Sequence, residues 1–91
     1  MTTQAVNRRQ SIASLIRIVA KAAQITVEDI LSHKRARKYS VPRQFIMFMA
    51  AQMGFSTTRI GAILNRDHST VIHGIRAEKA RREQAGAASR G

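Results

Sequence analysis

From Gln10 onward the apolar positions repeat at helical spacing. Ile12, Leu15, Ile16, Val19 and Ala23 fall at i, i+3, i+4, i+7 and i+11, one face of an amphipathic helix. Arg17 and Lys21 sit four apart on its other side. In Ile25-Thr26-Val27-Glu28-Asp29-Ile30-Leu31, Thr26 reads as an N-cap with Asp29 as its acidic partner three residues on, which predicts one short helix. Ser32 to Lys38 reads as a basic loop. Ser40 then caps the next helix, with Pro42 in its first turn, where a missing N–H does no harm. From Phe45 to Met53 nearly every residue is apolar, so this helix is the central one, buried on several sides, and Phe45, Met47, Phe48, Met49 and Met53 belong to the core. Gly54 ends it. Ser56 caps a helix carrying Ile60, Ile63 and Leu64, Asn65-Arg66 forms a tight turn, and Asp67 caps the last helix. No strand alternation and no repeat occurs. The pattern predicts an all-α chain with helices over 10–24, 27–31, 41–53, 57–64 and 68–84, a tail over 1–9 and another over 85–91.

Two helices joined by a short turn, the second leading into a basic segment, suggest a helix-turn-helix. In the last helix Val71, Ile72 and Ile75 form a narrow apolar stripe facing the core. At about 100° per residue, Thr70, His73, Gly74 and Ala77 cluster on the opposite side. That outward face is small enough for a groove of duplex to approach the backbone. His68, Ser69 and Thr70 lie at the helix N-terminus, where unpaired N–H groups favour phosphate.

Charge sharpens this picture. Sixteen Lys and Arg against five Asp and Glu leave a formal net charge of +11 on 91 residues, which calls for an anionic partner, nucleic acid before membrane. So short a chain buries about 60–65% of its unfolded surface and has little room for an enclosed catalytic cavity. With no cysteine, disulfides, thiolate zinc sites and thiol catalysis are excluded. No apolar run is long enough for a membrane span, and no signal-peptide stretch opens the chain, so a cytoplasmic, nucleoid-associated protein is expected. One Tyr, three Phe and no Trp leave few stacking platforms for single strands, which favours double-stranded DNA.

Chemistry at the candidate residues points the same way. Asp67-His68-Ser69 holds the residue types of a hydrolase triad, but consecutive helical residues diverge too far to form a relay. His68 and His73 are five apart, off the i, i+4 spacing of a ligand pair, and no metal or cofactor is expected. Neither a phosphate-cradling glycine loop nor any small-molecule substrate is indicated. Lys34, Arg35, Arg37 and Lys38 form either a solvated charge run or a basic arm laid on phosphates or into a minor groove. Arg43 and Gln44, in the first turn of the central helix, are placed to cap it or to reach a phosphate or base edge.

Arg66-Asp67-His68-Ser69-Thr70-Val71-Ile72-His73 resembles the signature of the C-terminal DNA-binding domain of the bacterial replication initiator DnaA. Val27-Glu28-Asp29-Ile30-Leu31 with its basic loop, Pro42-Arg43-Gln44 and Ile60-Gly61 resemble that family in the same order, so the likeness covers residues 12 to 84. It implies a TrpR-like bundle of about five helices that binds a duplex site called the DnaA box. It implies that Arg35 enters the minor groove, that Arg43 reads a base with Gln44 at the backbone, and that Asp67, His68, Ser69 and Thr70 form the major-groove motif with Arg66 before them and His73 beside them. This chain departs from the family pattern at Asn65, in a turn one residue shorter, at Ala51 in place of a lysine, and at Gly74 in place of alanine. The family's ATPase module has no room in 91 residues, so either a stand-alone protein or an excised fragment is expected. The expected function is therefore non-enzymatic: duplex DNA binding at DnaA-box-like sites by residues 10–84, regulating replication initiation or transcription. The alternative is a basic protein that coats nucleic acid or weakly contacts anionic lipid through the first helix. Nothing in the sequence implies an oligomer.

Overall fold

A computed structural model describes residues 8–90, with side chains described for 12–86. Among the described residues five helices follow in order: α1 (Arg8–Ala23), α2 (Val27–Leu31), α3 (Arg37–Gln52), α4 (Thr57–Leu64) and α5 (His68–Arg90). No strand occurs among the described residues. The predicted tail residues 1–7 and Gly91 lie outside the described residues.

Burial on α1 follows an i, i+4 ladder. Ile12, Ile16 and Ala20 are buried, with Leu15 and Val19 packed beside them. Ala23, placed by the sequence on this stripe, is exposed instead. The helix ends at that residue because Gln24 turns left-handed (φ 61°) and Ile25 N–H donates back to the Ala20 carbonyl at 3.0 Å, so Ala20 takes the inner position.

The expected cap of α2 is a full capping box. Thr26 Oγ1 accepts the Asp29 N–H at 2.9 Å, and Asp29 Oδ2 accepts the Thr26 N–H at 3.0 Å. Lys34 Nζ adds a 2.6 Å contact to the other carboxylate oxygen. Hydrogen bonding by Lys34 and then by the Thr26 backbone lowers the Asp29 pKa to about 2 from its usual 3.8. A carboxyl depressed on folding stabilises the native state above its unfolded pKa, and that stabilisation is lost as pH falls through the folded value. Thermal melts should therefore show stability declining between pH 4 and pH 2, and Asp29→Asn should flatten the decline. A parent and variant with the same acid profile would remove Asp29 from the account.

The central helix starts a turn earlier than predicted. It begins at Arg37, not near Val41, with Ala36 at its N-cap and no side-chain cap. Tyr39 and Ser40 N–H groups bond the Ala36 carbonyl at 2.9 and 3.0 Å, so Ser40 is helical rather than a cap and Pro42 lies inside the helix. Proline is tolerated because it lies within the first two turns, where its missing N–H costs a single ladder bond, the one to the Lys38 carbonyl. Arg37 and Lys38, read as loop, are thereby first-turn residues. As predicted, α3 is the hub and packs on all four other helices. Its Ile46, Met47 and Ala50 are buried, while Phe45, Phe48 and Met49 are half-buried. Met53 is 40% exposed and stands outside the core, because it follows the last turn of the helix.

Ser56 caps α4 by accepting the Arg59 N–H at 3.1 Å, and Ile60, Gly61 and Leu64 bury its inner face. Asn65 turns left-handed (φ 60°), and Arg66 N–H closes the turn onto the Gly61 carbonyl at 2.7 Å. Asp67 Oδ2 then accepts the Ser69 N–H at 3.0 Å, starting α5, whose Val71 is fully buried while Ile72 and Ile75 are half-buried. The alanine-rich segment read as a tail from Ala85 continues this helix to Arg90. Alanine's helix propensity carries the winding past the core.

Candidate nucleic-acid interface

The loop between α2 and α3, the middle of α3, the α4–α5 turn and the first turns of α5 enclose an open cleft of about 520 Å³. Lys34 and Arg35 from the loop, Gln44 and Met47 from α3, and Thr70 and His73 from α5 line it together. The structure thus brings together predicted site residues from three separate elements. His33 and Ser40 line the same cleft. Neither stood out in the sequence: the histidine was masked by the cationic run around it, and the serine was assigned to a cap.

Arg43 and Arg66 occupy a different role from the one their residue types suggest. Arg43 is 6% exposed. Its Nε donates to the Ile30 carbonyl at 2.7 Å, and its terminal nitrogens donate to the carbonyls of Asp29 (3.1 Å), Ser32 (3.2 Å) and Lys34 (3.2 Å). These include the carbonyls that the end of a helix leaves without intrahelical partners. Arg66 donates to the carbonyls of Leu64 (3.3 Å) and Asn65 (3.0 Å), and through its other terminal nitrogen to Ser32. Burial, and then the neighbouring Arg66 charge, push the Arg43 pKa below the usual arginine value; burial does the same to Arg66. Both residues line the cleft, yet their guanidiniums donate to backbone carbonyls.

The remaining cations are surface groups. Arg35, Arg37 and Lys38 are exposed. Lys34 and Lys38 lie over the Tyr39 ring at 4.9 and 5.3 Å, which orders their stems beside the cleft. His68, Ser69 and Thr70 are exposed at the start of α5, although only Thr70 faces the cleft. The Ser69 N–H, expected to be open to phosphate, already bonds Asp67, and this bond is the largest influence lowering the Asp67 carboxyl pKa. The His68 ring nitrogen stands 3.9 Å from the same carboxylate.

Gly74, read as part of the outward face, is buried. A Cβ there would overlap the Met47 sulfur and stand 3.4 Å from Gln44 Cγ. The missing side chain lets α5 lie directly on α3, which explains why glycine is accommodated at a helical position where it is otherwise unfavourable. Farther along α5, buried Glu78 holds Arg81 (2.7 Å) and Arg82 (2.9 Å), and Arg82 covers the Phe48 ring at 4.4 Å. Among the described residues no cluster of three or more His, Asp or Glu is placed to hold a metal, and no helix is long and apolar enough to cross a membrane.

Residues 12–77 match the family described as bacterial dnaA protein helix-turn-helix. Similar proteins include the chromosomal replication initiator protein DnaA 2 of Chlamydia caviae, 40% identical over 75 residues, covering 81% of this chain and 16% of that protein. The chromosomal replication initiator protein DnaA of Desulfotalea psychrophila is 39% identical over 77 residues, covering 80% of this chain and 16% of that protein. That of Treponema denticola is 41% identical over 69 residues, covering 74% and 15% respectively. The chain spans about one sixth of the length of the curated relatives it matches. An all-helical bundle with a short α4–α5 turn and a family match across most of its length place this chain in the bacterial dnaA protein helix-turn-helix family.

Proposed function

We propose that this chain binds duplex DNA sequence-specifically at DnaA-box-like sites, in the regulation of replication initiation or transcription, and performs no catalysis. The observation that carries this reading is the cleft. It sets a cationic loop beside the exposed start of a helix-turn-helix helix, in a chain of net charge +11. Residues 10–84 form the binding unit. Arg35 enters the minor groove, where a narrow A·T-rich stretch concentrates negative potential, and Lys34, Arg37 and Lys38 meet phosphates. Thr70 and His68 read base edges in the major groove, Thr70 offering a methyl and a hydroxyl and His68 a ring nitrogen. Ser69, His73 and Gln44 contact the backbone near them. Asp67 keeps the helix start in place rather than touching DNA, since a bare carboxylate would repel phosphate.

Selection of bound sites from a random duplex library, followed by titration of variants, tests this. Thr70→Ala and His68→Ala should each weaken binding to the selected site by about 1–3 kcal/mol and hardly change binding to random duplex. Circular dichroism should show both variants folded, as both side chains are exposed. An unchanged ratio of specific to random binding would overturn the assignment.

A second reading rests on Ile18, which is 66% exposed on α1 between Arg17 and Lys21. An apolar anchor flanked by cations suits a weak contact with anionic lipid. Flotation with anionic and neutral vesicles separates it from duplex binding.

A further inference from the structure

The carbonyl of Ser32, in the basic loop, is the meeting point of two arginines from different parts of the chain. Arg43 reaches it from α3 and Arg66 from the α4–α5 turn. Arg66 simultaneously bonds the Leu64 and Asn65 carbonyls that close α4. One guanidinium therefore ties the helix-turn-helix turn to a loop 34 positions earlier in the chain. Two like charges converge there because the end of α2 and the loop after it present a cluster of carbonyls beyond the helix's own N–H ladder. The loop tip carries Arg35, and the turn leads directly into Asp67, His68, Ser69 and Thr70.

We propose that Arg66, assisted by Arg43, is a positioning residue that latches the basic loop to the helix-turn-helix turn, so that the minor-groove arginine and the major-groove helix meet DNA at one fixed separation. The latch makes this protein a reader of spacing as well as of base sequence. The proposal rests on the duplex-binding reading above and adds to it what sets the length of the site. Neighbouring base pairs are about 3.4 Å apart along a strand, so a loop free to slide by that much would accept its A·T-rich element at adjacent positions. Hydrogen bonds to the loop backbone remove that freedom.

Arg66→Lys separates the latch from an ordinary phosphate contact. Lysine keeps the charge, but its single nitrogen lacks the planar fork that spans the turn and the loop together. The measurement is competitive binding to duplexes whose A·T-rich element and second element, both taken from the selected site, are separated by spacers of varied length. The parent should prefer one spacing by about tenfold over its neighbours. Arg66→Lys should reduce that preference to about twofold while the slope of affinity against salt stays the same. A lysine variant that keeps the single preferred spacing overturns the latch and leaves Arg66 as a charge. A parent indifferent to spacing overturns the two-element site itself, and the latch with it.

Should Arg66→Lys lose its cooperative melt, nitroxide labels on Ala36→Cys and Lys79→Cys, both exposed positions in a chain without native cysteine, provide the second measurement. A narrow distance distribution without DNA, unchanged by adding the selected duplex, is the expected result. A broad distribution that narrows only on DNA overturns the proposal.

Discussion

Arg43→Met should lower the free energy of unfolding by about 3 kcal/mol, a large share of the about 5–15 kcal/mol typical of a native domain. Methionine replaces much of the buried stem but none of the donors. The carbonyls of Asp29, Ile30, Ser32 and Lys34 all accept from this side chain. Leaving a buried acceptor without a partner costs about 1–3 kcal/mol, and the Ile30 carbonyl bond is the most deeply buried of the four. Urea denaturation followed by circular dichroism measures the loss. Arg35→Met, at an exposed position on the same cleft, should leave stability within about 0.5 kcal/mol of the parent. If the two variants unfolded together, Arg43 would be a surface cation like its neighbours rather than the buried support of the loop.

Gly61→Ala should cost about 2 kcal/mol, as an overpacked core position does, and should abolish site-specific DNA binding with it. An ideal Cβ at Gly61 overlaps the Arg66 carbonyl oxygen and sits 3.5 Å from Val71 Cγ2. The obstacle is backbone, and the Arg66 N–H is already bonded to the Gly61 carbonyl at 2.7 Å. The new methyl can only be admitted by opening the turn, which moves α5 and the Arg66 contact with the loop. Gly74→Ala is the informative contrast. There the Cβ meets the thioether of Met47, a flexible group that can move, and alanine gains about 0.5–1 kcal/mol of helix stability. Its net effect should be much smaller. Equal melting temperatures for the Gly61→Ala variant and the parent would show that the turn has slack.

Local side-chain chemistry made most of the helix framework legible. Thr26, Ser56 and Asp67 cap α2, α4 and α5 as their residue types and neighbours imply, because a cap is decided by an oxygen and an N–H two or three residues apart. The short apolar stripes of α1 and α4 and the all-round apolarity of α3 likewise follow from periodicity. Boundaries moved where local signals compete with their surroundings. Proline and serine signalled a start near residue 41, but the preceding turn winds onto Ala36. The alanine-rich end of α5 continues to Arg90, beyond the last apolar stripe. At Ala23 the stripe outlasted the helix.

The residue types alone determined an all-helical chain, its capped helices and a cationic chemistry suited to DNA. The arrangement of Arg35, Gln44, Thr70 and His73 around one cleft depended on the tertiary packing of α3 against α5. The fate of individual arginines was decided there too. An arginine in sequence is only a cation with five donors, and whether it faces phosphate or carbonyl depends on what the fold brings within reach. Arg35 and Arg43 lie eight positions apart in one basic region, yet one is exposed and the other is buried among the carbonyls of α2 and its loop. Those carbonyls have no intrahelical partners, and only the folded chain carries a guanidinium to them.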